Sequence, residues 1–339
     1  MGDSKLLSIC IPSYNRPVEL IRLLKSIDCP PDDIEVVICE NKSPKRDEIR
    51  EAVASFSESV PYPIHYFENE VNCGYDRNLR QCINHAFGTW VMFMGDDDAF
   101  VSGQLGSYIE FLKKQNPEIG YILRSYQAVL SDGKIEKFRY FDTLREFEPG
   151  EETTALLYKR SVFISGFCFR REFILGQETD RFDGTLLYQL YIQSEICMNH
   201  RAAYYDVPFT QSLDEGTPYF GSSEAEKGLY TAGTITVDNS VNFMKSYFDI
   251  TQYIDEKYGS HVTGKVRIDM SKYSYPVLSI QRKRGRKEFK EYARRLRALG
   301  YDATPYFNIY YLGLLIFGEK FCDSVIRLIK KRLGRVPKL

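Results

Sequence analysis

The stretch Trp90-Val91-Met92-Phe93-Met94-Gly95-Asp96-Asp97-Asp98 decides the fold prediction, because an apolar run ends in three consecutive carboxylates. A short apolar run with aromatic residues predicts a buried strand. Three acids at its end repel one another, so their presence needs a reason. Ligands of open α/β sheets bind at this edge, and hard oxygen ligands suit Mg²⁺ or Mn²⁺. A solvated acidic turn is the alternative that this stretch alone leaves open.

The residues before this stretch alternate between strand and helix patterns. Apolar runs at 6–11 and 34–39 flank a helix pattern that Pro17 can open, since proline is tolerated in the first helical turn. This is a βαβ unit with parallel strands. A helix at 47–56, a strand at 64–67 and a helix containing Asn78 follow. The first ~115 residues therefore predict a doubly wound nucleotide-binding sheet, although they contain neither G-x-G-x-x-G nor a P-loop motif.

The remaining sequence predicts shorter strands and then helices. A hairpin is expected around the turn Ser131-Asp132-Gly133. Strands are expected at 162–170 and 204–209, with a helical pattern between them inside 179–200 and a glycine-containing loop at 211–223. The last third of the chain predicts helices at roughly 224–257, 262–280, 285–299 and 318–333.

Charge and cysteine usage limit the class of protein. Residues 281–339 contain 16 Lys and Arg against 5 Asp and Glu, a formal charge of +11, so residues 1–280 carry −12. A basic tail on an acidic body predicts an anionic partner surface, either lipid or nucleic acid. The eight cysteines are scattered without C-x-x-C spacing, and the residues before the first strand lack the charged region and apolar core that are typical of a signal peptide. A reduced, cytosolic compartment is therefore expected.

Four motifs in one order resemble those of family 2 glycosyltransferases of the GT-A fold: Cys10-Ile11-Pro12-Ser13-Tyr14-Asn15-Arg16, Glu40-Asn41-Lys42-Ser43, Asn72-x-Gly74-x-x-x-Asn78 and Gly95-Asp96-Asp97-Asp98. With Phe182-Asp183-Gly184-Thr185-Leu186-Leu187-Tyr188-Gln189 downstream, the pattern is most similar to the abequosyltransferase-like branch, which builds bacterial surface polysaccharides such as O-antigen or capsule. The resemblance is specific over about 6–100, fair to about 210 and weak beyond.

The resemblance implies an α/β, GT-A type doubly wound sheet with a helical, basic C-terminal extension. The expected division is a nucleotide-sugar-binding half at 1–115, an acceptor-binding half carrying the catalytic base at 116–223, and a helical region at 224–339.

The resemblance also assigns residues to the nucleotide-sugar donor. Carried over, the base pocket and the loop beside the donor use Pro12, Tyr14, Arg16, Glu40, Asn72, Gly74 and Asn78. The family more often has Asp at position 40, and a carboxylate there can accept from uracil or from cytosine, so the base stays open. An ordinary turn is the alternative for the Asn72-x-Gly74 motif.

The acid triplet and a downstream acid carry the implied chemistry. The resemblance implies that Asp96 contacts the ribose or a metal-bound water, and that Asp98 binds a Mg²⁺ or Mn²⁺ ion that bridges the diphosphate. It places Asp97 beside the donor. The family usually has an acid at position 95, so the choice of ligand within the triplet stays open. Transfer is expected to be inverting and hexosyltransferase-like, with Asp183 as the base and Asp180 as second candidate. A helix N-terminal acid that complements the dipole is the alternative for Asp183.

The C-terminal tail suggests a membrane surface. Residues 306–317 are apolar but span only about 12 residues, short of the ~20 that a membrane-spanning helix needs. Residues 318–333 place apolar side chains on one helical face, with Lys320, Arg327, Lys330, Lys331, Arg332 and Arg335 interspersed among them or close behind. A basic amphipathic helix of this kind can lie in a membrane interface. The alternative is a helix packed on the body with a solvated basic face.

The resemblance therefore implies a metal-dependent transferase that moves sugar from a nucleotide-sugar to a lipid-linked glycan, and with the basic tail we expect it in the cytoplasm at the inner face of the cell membrane. A sugar-phosphate nucleotidyltransferase is the second enzyme class, distinguished by release of pyrophosphate. A nucleic-acid-binding protein is the non-enzymatic alternative, which the acidic body and the missing nucleic-acid motifs disfavour. The oligomeric state is left open.

Overall fold

The carboxyl ends of four parallel strands meet at one edge of the main sheet, and the acid triplet follows one of them. The computed structural model describes residues 5–213, 219–231, 234 and 236–333, with side chains described as far as residue 328. Within these residues the strands are β1 (Leu7–Ser13), β2 (Ile34–Glu40), β3 (Ile64–Glu68), β4 (Trp90–Phe93), β5 (Ala99–Phe100), β6 (Ile119–Arg124), β7 (Tyr126–Val129), β8 (Ile135–Phe138), β9 (Arg145–Phe147), β10 (Phe167–Arg170), β11 (Arg201–Tyr205) and β12 (Thr210–Leu213).

The helices cover both faces of the main sheet and form the C-terminal region. They are α1 (Pro17–Lys25), α2 (Arg46–Ser57), α3 (Tyr75–His85), α4 (Leu105–Lys113), α5 (Glu151–Tyr158), α6 (Tyr188–Asn199), α7 (Val237–Tyr258), α8 (Val262–Lys272), α9 (Tyr275–Arg284), α10 (Arg286–Ala298) and α11 (Pro305–Leu333). The backbone of α11 is non-helical at Gly318, where the helix kinks.

The main sheet has the order β3-β2-β1-β4-β10-β6-β11-β9, and a smaller sheet has the order β5-β12-β7-β8. Strands β3, β2, β1 and β4 are mutually parallel, whereas β10 runs antiparallel between β4 and β6. Alternate residues of β1 enter two separate apolar clusters: Leu7, Ile9 and Ile11 belong to one and Cys10 to the other. This alternation follows from the two-residue period of a strand and shows that both faces of the sheet are buried, as the sequence predicts.

The structure confirms the predicted α/β, GT-A type fold with a helical C-terminal region, and it corrects several boundaries. The strand expected at 204–209 begins earlier, at Arg201, and the helix expected from 224 begins at Val237. The single helix expected at 262–280 is two helices, because the chain turns at Tyr273 and Ser274. The last helix begins at Pro305, so it includes the apolar run 306–317.

Candidate active site

A cavity of about 570 Å³ opens at the carboxyl edge of β1, β2 and β4. Eight of the twelve residues predicted for the site line it: Pro12, Tyr14, Arg16, Asn72, Gly74, Asn78, Asp96 and Asp97. The other four lie outside the lining, namely Glu40, Asp98, Asp180 and Asp183. The cavity therefore brings together most residues that the resemblance assigns to the donor, including the predicted metal ligand Asp96. It leaves outside its lining Glu40 of the predicted base pocket, the second predicted metal ligand and both candidate bases.

Asp96 is held by the segment that links β1 to α1. Its carboxylate accepts the backbone N–H of Tyr14 at 2.9 Å and a guanidinium N–H of Arg16 at 2.8 Å. The second end of the Arg16 guanidinium lies 3.0 Å from the Asp97 carboxylate. Burial raises the pKa of Asp96 to about 6, although the nearby Arg16 charge opposes this. Arg16 thus ties two of the three acids to the first strand-to-helix connection.

Asp98 is buried below the cavity and accepts a hydrogen bond from the Ser165 hydroxyl. Burial raises its pKa to about 7, with the Ser165 hydrogen bond acting in the opposite direction. A Cβ placed on Gly95 would lie 3.2 Å from oxygens of both Asp97 and Asp98. The two carboxylates therefore converge on Gly95.

The carboxylates of this site suit a divalent cation only if a bound substrate supplies further oxygen ligands. Across residues 5–213, 219–231, 234 and 236–333, no group of three or more His, Cys, Asp or Glu side chains is arranged to hold a metal ion. Asp97 and Asp98 supply two converging carboxylates, and Mg²⁺ is usually held by one or two carboxylates plus substrate phosphates. The residues present therefore fit a metal that binds together with a diphosphate.

An asparagine network shapes the loop before α3. The Asn41 amide donates to Asn72 at 3.0 Å and accepts from the Cys73 N–H at 3.0 Å. Gly74 has a φ of +83°, and a Cβ there would lie 2.8 Å from the Ser223 hydroxyl, so only glycine fits without strain. Asn78 donates to the Cys39 carbonyl at 3.0 Å and so fastens α3 to the end of β2. Asn41 lines the cavity, although the sequence analysis did not single it out.

Glu40 is fully buried and its carboxylate is turned away from the cavity lining. It accepts the backbone N–H groups of Lys42 at 3.0 Å and Ser43 at 2.6 Å, and it pairs with the Arg46 guanidinium. This carboxylate therefore holds the turn after β2, and its predicted hydrogen bond to the base stays a prediction.

Asp183 lies in the turn before α6, paired with Arg80 through both guanidinium nitrogens. Asp76, one helical turn before Arg80 on α3, accepts the backbone N–H groups of Leu186 and Tyr188, each at 2.9 Å. Two side chains of α3 thus fix the position of this turn. Asp180 is exposed, and its backbone carbonyl accepts the Asp183 N–H at 3.0 Å. The catalytic role of either acid stays a prediction.

The segment 219–231 closes one side of the cavity, and the sequence analysis described it only as loop and helix. The Tyr219 ring packs edge-on against Tyr14 at 5.7 Å, and the Arg16 guanidinium lies 5.0 Å from the centre of the Tyr219 ring. Glu226 accepts the Tyr75 N–H at 2.9 Å. The adjacent aromatic pair Tyr219-Phe220 before a glycine was the available sequence signal for a stacking surface.

The opposite side of the cavity is a wall of C-terminal helices. Its lining residues on α7, α9 and α10 are mostly apolar: Phe243, Met244, Val277, Ile280, Gln281 and Tyr292. Helical periodicity predicts that such residues share a face, but it does not say what that face packs against. No sequence signal was available for this wall.

A protein-family model for "Glycosyl transferase family 2" matches residues 8–176, about half of the chain. The match runs from β1 past the acid triplet to the residues after β10. The chain belongs to glycosyltransferase family 2. This agrees with the resemblance carried by the four sequence motifs.

Curated relatives match shorter stretches of the chain. The abequosyltransferase RfbV of Salmonella typhimurium is 35% identical over 113 residues, which is 32% of this chain and 33% of the relative. An undecaprenol-linked-glycan β-1,3-glucosyltransferase of Campylobacter jejuni, named GalNAc(5)-diNAcBac-PP-undecaprenol beta-1,3-glucosyltransferase, is 26% identical over 105 residues, or 31% of this chain and 33% of the relative. In both cases the matched segment spans only about a third of the relative's length.

Solved structures support the fold over most of the chain. TarS residues 1–349 of S. aureus in complex with UDP superpose with a TM-score of 0.57 at 12% identity, covering 97% of this chain and 92% of TarS 1–349. The mannosyltransferase PcManGT of Pyrobaculum calidifontis, in complex with GDP-Man and Mn²⁺, gives a TM-score of 0.51 at 14% identity and covers 94% of this chain and 88% of that one. At these identities the likeness concerns the fold alone.

Proposed function

We propose that this family 2 glycosyltransferase moves a sugar from a nucleotide-sugar to a hydroxyl group of a lipid-linked glycan in bacterial surface-polysaccharide synthesis. The observation that carries the proposal is the cavity at the strand ends, where Arg16, Asp96 and Asp97 face residues of the asparagine loop. The names of the curated relatives support the polysaccharide context. The nucleotide ligands of the two solved neighbours support the donor class.

The nucleotide would lie across the carboxyl ends of β1 and β2, with Pro12, Tyr14 and Tyr219 beside the base. Tyr14 and Tyr219 pack edge to face, which leaves aromatic surface next to a polar pocket. Asn72 and Gly74 would border the sugar-diphosphate, because Gly74 lets the backbone approach where a side chain would clash. Which of the UDP, CDP, GDP and dTDP donors binds depends on the base that this pocket accepts.

The acid triplet would hold the diphosphate end. Asp97 and Asp98 each place an oxygen 3.2 Å from a Cβ built on Gly95, so both could contribute to holding Mg²⁺ or Mn²⁺. All three acids already have partners: Asp96 accepts from Tyr14 and Arg16, Asp97 pairs with Arg16, and Asp98 accepts from the Ser165 hydroxyl. We therefore keep the predicted ligands Asp98 and Asp96 and propose Asp97 as a third candidate beside them. A bound cation would stabilise the negative charge that develops on the leaving diphosphate.

The transfer step proposed is a single displacement with inversion. The acceptor oxygen forms a bond to the anomeric carbon while the bond from that carbon to the diphosphate oxygen breaks, and its electron pair leaves with the diphosphate. Asp183 would take the proton of the acceptor hydroxyl, as a general base within hydrogen-bond reach does. Its pairing with Arg80 must loosen or reorient for this step, and Asp76 keeps the turn in place meanwhile.

The tail supports attachment to the cytoplasmic face of the membrane. None of the helices in the described part of the chain is long and apolar enough to cross a bilayer. However, α11 exposes large apolar side chains on both sides of its kink: Tyr306, Ile309, Leu312, Ile316, Phe317, Phe321, Val325 and Leu328. Lys330, Lys331, Arg332 and Arg335 lie outside the residues whose side chains are described. We propose that this exposed face lies in the lipid interface, with the basic residues near anionic head groups.

A nucleotide panel tests the donor class. Thermal-shift measurements with UDP, CDP, GDP and dTDP, each with Mn²⁺, should show one nucleotide that raises the melting temperature well above the other three. Uniformly absent shifts would contradict the donor site. In turnover assays the expected product is a nucleoside diphosphate; pyrophosphate release would select the nucleotidyltransferase alternative instead.

A further inference from the structure

The cavity has two chemically different ends, and only one of them is explained by a nucleotide-sugar. The strand-end side presents Arg16, Asp96 and Asp97, whereas the helical side presents Phe243, Val277 and Ile280. A nucleotide-sugar has little hydrocarbon surface, so the helical side calls for a different chemical group. This side is built by α7, α9 and α10, all outside the residues that the family model matches.

One polar group on the helical side lacks a partner. The Gln281 side chain is 1% exposed and lines the cavity, and its amide nitrogen donates to the Ser240 hydroxyl at 2.7 Å. Its amide oxygen, by contrast, accepts no hydrogen bond from any residue that the structure describes. Buried polar atoms are rarely left unpaired. A ligand hydroxyl in this part of the cavity would supply the missing donor.

A basic surface adjoins the apolar wall along the same helix. Ile280 is 47% exposed at the rim, and the chain continues directly into Arg282-Lys283-Arg284 and, past Gly285, Arg286-Lys287. All five of these cations are exposed except Arg282, which is half-buried. Apolar surface next to a cluster of cations complements a hydrocarbon chain that is joined to a phosphate or diphosphate.

The same helix connects the cavity to the proposed membrane face. Arg282 donates to the Leu314 carbonyl of α11 at 3.1 Å. Tyr275 and Ser279 of α9 donate to Asp323 of α11 at 2.7 and 3.0 Å. Helix α9 therefore forms part of the apolar wall and also contacts the helix that carries the exposed apolar face.

We propose that the helical end of the cavity is the acceptor subsite, and that it binds an amphiphile in which a polyisoprenyl-type hydrocarbon chain is joined through a phosphate or diphosphate to the receiving glycan. Val277, Ile280 and Phe243 contact the chain segment nearest the phosphate, the basic segment 282–287 pairs with the phosphate, and Gln281 accepts from a glycan hydroxyl. This subsite rests on the proposed function, because it presupposes a donor bound at the strand ends.

The test measures binding of a probe to the full chain by calorimetry, in the presence of a saturating amount of whichever nucleoside diphosphate binds in the panel. The probe is farnesyl diphosphate below its aggregation concentration, and farnesol and inorganic diphosphate are its two halves. We expect farnesyl diphosphate to bind at least tenfold tighter than either half. Ile280→Asp should weaken this binding at least tenfold and leave nucleoside diphosphate affinity within twofold of the wild-type value.

Two exposed isoleucines provide matched controls. Ile268 on α8 is 44% exposed and lies outside the cavity lining, and Ile316 on α11 is 68% exposed on the proposed membrane face. Ile268→Asp and Ile316→Asp should both leave farnesyl diphosphate binding within twofold. The subsite would be overturned if Ile280→Asp bound farnesyl diphosphate with wild-type affinity, or if either control variant lost as much affinity as Ile280→Asp. It would also be overturned if inorganic diphosphate bound as tightly as farnesyl diphosphate. If the wild-type protein bound none of the nucleoside diphosphates, that result would instead contradict the proposed donor site.

Discussion

The two sides of the cavity differ in how the chain builds them. On the strand-end side, polar groups follow directly from buried strands, and backbone N–H groups and Arg16 fix their positions. On the helical side, side chains from three separate helices form an apolar wall. The first side tolerates little change, because each group is defined by main-chain geometry. The second side can be varied residue by residue, which suits a part of the site that selects among acceptors.

The largest effect is expected for the proposed base, which belongs to neither wall. Asp183→Asn should lower the transfer rate by roughly 10²–10⁴-fold, the range that general-base catalysis supplies. Nucleotide affinity should stay the same, since Asp183 does not line the cavity. Initial rates and nucleotide titrations measure the two quantities separately.

Asp180→Asn is the companion variant, because Asp180 is the second candidate base, lies three residues away and is exposed. It should keep near wild-type transfer. If Asp183→Asn also transfers sugar at a near wild-type rate, another group takes the proton, and the anchoring of this turn by Arg80 and Asp76 is structural only.

Substitutions on the exposed apolar face of α11 should weaken membrane binding without changing nucleotide binding on the strand-end side. The rings of Phe317 and Phe321 pack against each other in a tilted arrangement, and the two residues are 61% and 56% exposed. Replacing both with Asp removes about 3 kcal/mol of apolar burial in lipid, on the order of a 100-fold loss of vesicle binding. Flotation with vesicles that contain anionic phospholipid measures this loss, and nucleotide affinity should not change.

The control pair for the vesicle experiment is Val18→Asp with Phe87→Asp, at side chains 77% and 66% exposed near the main sheet. This double variant should float like the wild-type protein. Equal flotation of the Phe317/Phe321 variant and the wild type would show that α11 packs on the body without entering lipid.

The strand-end side should show a pH dependence that the helical side lacks. Burial raises the pKa of Asp96 to about 6 and of Asp98 to about 7. Because the folded-state pKa values lie above those of unfolded Asp, these groups favour folding at low pH, and that contribution is lost as the pH rises through about 6 to 7. A divalent cation needs the deprotonated carboxylates, so its stabilising effect should grow over the same range.

The measurement is the rise in melting temperature on adding Mn²⁺ with the bound nucleotide, at pH 5.5 and pH 8. The rise should be larger at pH 8, by several degrees, and Asp98→Asn should remove most of this difference. A rise of equal size at both pH values would show that metal binding does not depend on the deprotonation of these two carboxyl groups.

A smaller effect, on the free energy of unfolding, is expected to differ between the loop before α3 and helix α8. Gly74→Ala introduces a Cβ at a φ of +83°, 2.8 Å from the Ser223 hydroxyl, and should cost about 1–2 kcal/mol of unfolding free energy. Gly264→Ala lies inside α8 with no atom within 4 Å of the new Cβ, and it should add about 0.5–1 kcal/mol. Denaturant unfolding of both variants measures the difference, and effects of the same sign would contradict it.

The strand-end side was predictable from the sequence for a physical reason. Apolar runs that end in polar groups mark where strands stop, and parallel strands stop at one edge, so Tyr14, Asn72 and Asp96 could be expected to meet. Side-chain direction was not predictable. Glu40 follows its strand as expected but turns into the Lys42–Ser43 turn, and Asp183 pairs with Arg80 from a helix a hundred residues earlier.

The helical wall was not predictable, because an amphipathic pattern gives the apolar face of a helix without its neighbour. The periodic residues of α7 and α9 are compatible with core packing alone. The break at Ser274 between α8 and α9 does have a sequence signal, since Pro276 stands in the first turn of α9, where proline commonly begins a helix. The start of α11 was also missed, since the apolar run 306–317 suggested an approach to a helix and is itself helical.

The central claim is that the strand-end cavity holds a nucleotide-sugar whose diphosphate leaves with the help of a metal bound by the acid triplet. The most direct measurement is release of nucleoside diphosphate from the preferred sugar nucleotide, with Mn²⁺ or with excess EDTA, for the wild type and for Asp98→Ala. Removing such charge stabilisation should lower the rate by about 10²–10³-fold or more. Turnover at the full rate is expected only for the wild-type protein with metal. Robust turnover in EDTA, or in Asp98→Ala with Mn²⁺, would contradict it.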